Sequence, residues 1–152
     1  MEPLLDAASP LNLHPDGWCT AMALHFVRAT EVEVVAEWTV AAQHLQAYGI
    51  VHGGVHCGVI ETLASVGAAL TAMPRGQTVV GLENHTSFVR ATRIGQRLRG
   101  VAKAITRGRT TQVWEATVTA EDGKVVATGR VRLLCLAPGT ELAGAAPEGS
   151  LG

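Results

Sequence analysis

The chain has 152 residues, 47% of them hydrophobic and 16% charged, with a net charge of −1. A domain of that length can bury a core without disulfide or metal staples, and so little charge covers a monomer poorly, which favours an oligomer with sizeable interfaces. The near-zero balance gives no overall field for nucleic acid, and the N-terminus lacks the basic and apolar regions of a secretory signal, so the cytoplasm is the expected location.

Residues 1–17 hold three prolines and no clear period, and they read as a loose leader. A single domain is expected over 18–136. In residues 31–40, Val32, Val34, Ala36, Trp38 and Val40 alternate with Glu31, Glu33, Val35, Glu37 and Thr39, the period of a strand with one buried face. Next comes a long apolar run, 55–73, interrupted only by His56 and Glu61 and rich in Gly and Ala. It reads as a buried core helix, since a membrane span would not carry those groups. Residues 78–89, 97–106, 112–118 and 125–135 then read as strands, and Asp122-Gly123 marks a hairpin turn. The tail over 137–152 is too rich in Gly, Ala and Pro to be expected to order.

The order is thus two strands, one long helix, then about four antiparallel strands. A helix apolar nearly all round must be enclosed, and a curved antiparallel sheet wrapped around it does so, giving an α+β fold. Charge is uneven along the chain. Residues 1–70 carry seven acids and only Arg28, whereas residues 71–152 carry eleven Lys or Arg against six acids. The basic half suits either a phosphorylated ligand or merely solvated strand faces. Cys19, Cys57 and Cys135 are odd in number and widely spaced, the usage of a reducing compartment.

The chemistry concentrates at the start of the apolar helix. Gly53-Gly54 opens it, so free backbone N–H groups and a positive dipole end are on offer to a developing negative oxygen. Glu61 is the only carboxylate within the run, and an apolar setting tolerates an unpaired carboxylate poorly unless it has a use. Oxyanion donor and lone carboxylate together suggest acyl transfer. Ser65, one turn beyond Glu61, could hold a water beside the carboxylate or bond back to the Glu61 carbonyl. Gln46, seven residues before Gly53, has an amide that could reach the same substrate oxygen.

Eight residues of helix separate Gly53 from Glu61 by about 12 Å. A reacting carbonyl needs its oxyanion donor and its attacking group both within about 3–3.5 Å. One subunit cannot satisfy both, but two antiparallel helices packed across a twofold axis can. A homodimer with active sites at its interface is expected.

The segment His52-Gly53-Gly54, with Glu61 and Ser65 at their spacing, is followed by Asn84-His85-Thr86-Ser87-Phe88-Val89-Arg90 and by an Arg-Gly-x-x-x-Gln-Val-Trp pattern at 107–114. Over residues 31–135 this resembles the hotdog-fold acyl-CoA thioesterases of the PaaI-like type. It is most similar to the branch with Glu on the central helix, which includes 4-hydroxybenzoyl-CoA thioesterase and 1,4-dihydroxy-2-naphthoyl-CoA hydrolase. The resemblance implies Glu61 as nucleophile or general base, and the Gly53 N–H, assisted by Gln46, as the carbonyl-polarising donor. His52 would shape the turn, and Ser65 would stand near the attacking water. Arg90 would meet CoA phosphate, and Arg109 and Thr110 would border pantetheine, although position 109 is Ser in one relative. Asn84 and His85 would lie on the strand beside the site. It further implies an acyl-CoA substrate with an aromatic acyl group, no metal or other cofactor, no nucleic-acid or membrane partner, and a dimer of dimers, that is, a homotetramer.

Other readings fit less well. His52, His56 and Glu61 form H-x3-H-x4-E, a possible zinc pattern, but a His at a Gly-Gly turn and a His on a core helix are more often structural. Cys57 beside His56 could form a nucleophilic pair, yet apolar burial raises a thiol pKa. A non-catalytic acyl-CoA-binding regulator on the same fold would have little use for Glu61 with Ser65. The flanks at 1–17 and 137–152 also lack the Lys and Arg of an added DNA-binding segment. A hydratase would want a His base paired with an acid near the helix start.

Overall fold

The computed structural model, which describes residues 5–148, holds six strands, and the apolar run forms one long helix. In chain order the elements are α1 (Ala8–Leu13), α2 (Gly17–Ala21), β1 (His25–Ala29), β2 (Glu33–Thr39), a 3-10 turn (Ala42–His44), α3 (Gly53–Ala72), a second 3-10 turn (Met73–Arg75), β3 (Thr78–Phe88), β4 (Arg97–Arg107), β5 (Thr111–Ala120) and β6 (Val125–Leu136). The strands form one antiparallel sheet in the order β1-β2-β4-β5-β6-β3. The sheet wraps α3, as expected for a hotdog fold.

The helix begins at the Gly-Gly pair under a His52 cap and stops where Pro74 and the left-handed Gly76 (φ 65°) end the following 3-10 turn. Its buried face, Val55, Val59, Ile60, Leu63, Ala64, Ala68 and Leu70, meets Val34, Ala36, Trp38, Leu98, Ala102, Trp114, Val118, Val131 and Leu133 of the sheet in one core. Gly67 allows the closest approach: a Cβ there would stand 2.3 Å from the ring of fully buried Trp114. Trp114 is fixed by donating to Gln112 Oε1 (3.0 Å), and Gln112 donates to the Ala68 carbonyl (3.0 Å). The Asp122-Gly123 turn joins β5 to β6, with Gly123 at φ 76°.

Two expectations need adjustment. Within the stretch read as a loose leader, α1 docks on the edge strand β1. The Asn12 side chain exchanges two 2.8 Å hydrogen bonds with the Phe26 backbone, and Asp6 Oδ1 accepts from the N–H groups of Ala8 and Ala29. The alternation test missed this because six helical residues are too few to show a period. Nor is α3 enclosed by its own chain. Gly54, Cys57, Gly58, Glu61, Thr62, Ser65, Val66 and Ala69 are half-buried or exposed along one face. The helix is long and apolar enough to cross a membrane, but most of it is buried in the sheet. Tail residues 137–148 carry turns and an isolated bridge between Leu142 and Ala145. The ends of the expected leader (1–4) and tail (149–152) lie outside the described residues.

Candidate active site

The loop before α3 is built on His44, which is fully buried. Its Nδ1 accepts from the Ala41 N–H (2.8 Å), so Nε2 carries the proton and donates to the Met22 carbonyl (2.9 Å). The His44 carbonyl accepts from the His52 N–H (2.8 Å), and a bridge between Leu45 and Val51 closes the loop. His52 caps α3: its Nδ1 accepts from the Gly54 N–H (2.8 Å), and its carbonyl accepts from the Val55 N–H (2.9 Å). Among the described residues the Gly53 N–H has no acceptor, so the helix terminus keeps one free donor at the dipole's positive end. Gln46 Oε1 accepts from the Tyr48 N–H (2.5 Å), which leaves the amide Nε2 without a bond among the described residues.

Two helical turns along, Glu61 is half-buried. Its Oε2 accepts from Asn84 Nδ2 (3.1 Å), which also donates to the Cys57 carbonyl (3.0 Å). Asn84 Oδ1 in turn accepts from the Thr86 hydroxyl (2.7 Å). Glu61 Oε1 lies over Gly81, at the register shift between Gly81 and Glu83 in β3. Helix and strand therefore run antiparallel: Gly53 faces Phe88, Cys57 faces Asn84 and Glu61 faces Gly81. A Cβ on Gly53 would stand 2.9 Å from the Phe88 ring.

Ser65 lies on the same face, half-buried, and its hydroxyl makes no hydrogen bond among the described residues, so it does not bond back to the Glu61 carbonyl. His85 is elsewhere. Strand alternation turns it to the opposite face of the sheet, where it pairs with Glu83 (2.7 Å) beside Lys103, Glu115 and Arg130. Arg90 follows β3 at the Phe88 end and pairs with Asp122 (3.6 Å). Arg109 and Thr110 sit in the β4–β5 turn at the Thr78 end, where the Arg109 carbonyl accepts from Gln77. Within one chain the eleven residues of β3 separate Arg90 from Arg109, so they do not converge.

The zinc pattern does not converge either: His52 Nδ1 is committed to Gly54, and His56 is buried at 3% exposure with its Nδ1 unbonded. Burial, reinforced by nearby His44, lowers the His56 pKa to about 4, so it is neutral near pH 7. The grip of Asn84 on Glu61 and the packing of Phe88 on Gly53 escaped the sequence reading. Gly81 inside a strand was the one available sign of a close approach.

The sequence profile described as the Thioesterase superfamily matches residues 48–127. Rv1847 of Mycobacterium tuberculosis is 38% identical over 135 residues, covering 88% of this chain and 95% of its own. The proofreading thioesterase EntH of Cronobacter turicensis is 34% identical over 110 residues, covering 72% of this chain and 79% of its own. Among solved structures, S. sahachiroi AziG superposes with a TM-score of 0.78 at 39% identity, covering 82% of this chain and 99% of that one.

Proposed function

The chain belongs to the thioesterase superfamily, and we propose that it hydrolyses aromatic acyl-CoA thioesters to the free acid and CoA in the cytoplasm. The observation that carries this reading is the pairing on one helix face of a free Gly53 N–H with a Glu61 carboxylate held by Asn84. Carbonyl oxygen at the helix terminus is stabilised as it gains charge, by about 3–4 kcal/mol for a well-placed donor. The unbonded Gln46 amide supports a second donor there. Glu61 either attacks the carbonyl carbon, forming an anhydride that water opens, or takes a proton from a water, held by the Ser65 hydroxyl, as that water attacks the same carbon. In both routes CoA leaves as a thiolate. The resemblance to the branch with Glu on the helix favours an aromatic acyl group.

The reading includes a homodimer with shared sites, two of which form a tetramer. Three features support a second copy. Gly53 and Glu61 are too far apart on one helix, α3 has an uncovered face, and β3 is an eleven-residue edge strand with Leu82 and Phe88 exposed. By contrast, α1 covers the other edge at β1. Antiparallel pairing of two β3 edges would bring the Arg90 end of one protomer to the Arg109–Thr110 end of the other, joining the proposed CoA contacts.

Thiol release from 4-hydroxybenzoyl-, 1,4-dihydroxy-2-naphthoyl-, phenylacetyl- and hexanoyl-CoA tests the reading, with Glu61→Gln alongside. Turnover that falls by about two orders of magnitude or more in the variant is expected. Binding without CoA release by the wild type would instead mark an acyl-CoA-binding regulator.

A further inference from the structure

Trp18 borders the uncovered face of α3 on the side away from β3. A Cβ on Gly58 would stand 2.3 Å from Trp18 Cζ2 and 2.9 Å from Cη2, so the indole rests directly on the helix backbone. Gly58 is three residues before Glu61 and four after Gly54, which makes all three neighbours on one helix surface. The face that carries Glu61 is therefore a trough, with β3, through Gly81, Asn84 and Phe88, on one side and the Trp18 ring on the other.

The ring is held firmly yet left open. Asp16 Oδ1 accepts from the Cys19 N–H (2.7 Å), Cys19 is buried, and the Met22 carbonyl accepts from His44, the residue that also anchors the loop ahead of Gly53. Trp38 and Trp114 are buried in the core, whereas Trp18 is 37% exposed, and its indole N–H has no partner among the described residues. A rigid aromatic face beside a reacting carboxylate offers offset stacking to a flat acyl group at little entropic cost, and offers a flexible alkyl chain less.

We propose that Trp18 is the specificity-determining wall of the acyl site, stacking on planar aromatic acyl groups. The inference rests on the acyl-CoA thioesterase reading above. It adds a residue from outside the span that matches the superfamily profile.

Dissociation constants of Glu61→Gln, Glu61→Gln/Trp18→Leu and Glu61→Gln/Trp18→Phe for 4-hydroxybenzoyl-CoA and hexanoyl-CoA, by titration calorimetry, provide the test. Trp18→Leu is expected to weaken the aromatic thioester about tenfold and the hexanoyl thioester less than about threefold, with Trp18→Phe restoring most of the difference. Equal losses on both ligands, or no loss on either, overturn the proposal. Should the Leu variant fail to fold, Gly58→Ala, whose new methyl displaces the ring, must give the same selective loss. Wild-type turnover is read separately: its absence sinks the thioesterase reading, while the ratio of binding constants still decides the role of Trp18.

Discussion

The Glu61 carboxylate occupies the space left by the missing side chain of Gly81: a Cβ there would stand 2.6 Å from Glu61 Oε1. The atom that must yield is the end of a flexible side chain, so Gly81→Ala is expected to fold with little loss of stability. Its methyl pushes the carboxylate off its position, and a displacement of about 1 Å costs roughly a hundredfold in rate. The expected result is a kcat lower by about ten- to a hundredfold at nearly unchanged Tm. A full-rate Gly81→Ala enzyme would remove Glu61 from the reaction.

Asn84 holds the same carboxylate from the other oxygen, through one amide that also bonds the Cys57 carbonyl. Asn84→Ala removes both donors but no part of the helix terminus. Loss of orientation should lower kcat by about tenfold or more with KM little changed, and removal of the bonds should cost about 1–3 kcal/mol of stability. Steady-state kinetics beside denaturant unfolding separates the two effects.

Much of this was readable from the residues because the governing signals were local. Alternation placed β2 and the four strands after α3 within a few residues of their observed bounds, and the Gly-Gly pair marked where α3 begins. Glu61 stood out as the lone carboxylate in an apolar run. What stayed hidden depends on distant packing. Asn84 lies 23 residues from Glu61 and Trp18 lies 40 from Gly58, and neither spacing has a period to reveal it. His85 was grouped with Asn84 because they adjoin in sequence, yet adjacent strand residues face opposite ways. The α1 helix is too short for a pattern, and its anchor, the Asn12 side chain, is indistinguishable in sequence from any loop asparagine.

Gly67 and Trp114 form the tightest point between helix and sheet. Gly67→Ala overpacks a fully buried site, and the expected cost is about 1–3 kcal/mol, seen as a fall in Tm. Here the obstructing atoms belong to a ring locked by Gln112, not to a free side-chain end. Trp114→Phe in the same chain should recover part of the loss, giving a coupling energy clearly different from zero in a double-mutant cycle.

Acid should weaken the fold through His56. Its pKa is lowered from 6.5 to about 4, first by burial and then by the nearby His44. Between those values the unfolded chain binds a proton that the folded chain does not. Stability is therefore full above pH 6.5 and falls as pH drops toward 4, by up to about 3 kcal/mol from this group. Denaturant unfolding at pH 7 and pH 4.5, at fixed protein concentration, should show the loss. His56→Leu, which also removes the unbonded buried Nδ1, should lose markedly less over the same interval.

The shared site makes the most discriminating demand. Gly53 is the first residue of α3 and follows His52 at ψ 132°, a conformation that accepts a proline next. Gly53→Pro thus deletes the free N–H while leaving the helix able to form, and Phe88 must shift its ring to admit the added atoms. Alone, it should lose about a hundred- to a thousandfold in kcat, as Glu61→Gln should for its own reason. If donor and carboxylate of each site come from different protomers, a mixed dimer of the two variants holds one site with both defects and one with neither. After subunit exchange of an equal mixture, half the dimers are mixed and half of their sites are intact, so activity should return to about a quarter of the wild-type value. Were each site built within one protomer, every site would keep one defect and the mixture would stay as inactive as its components.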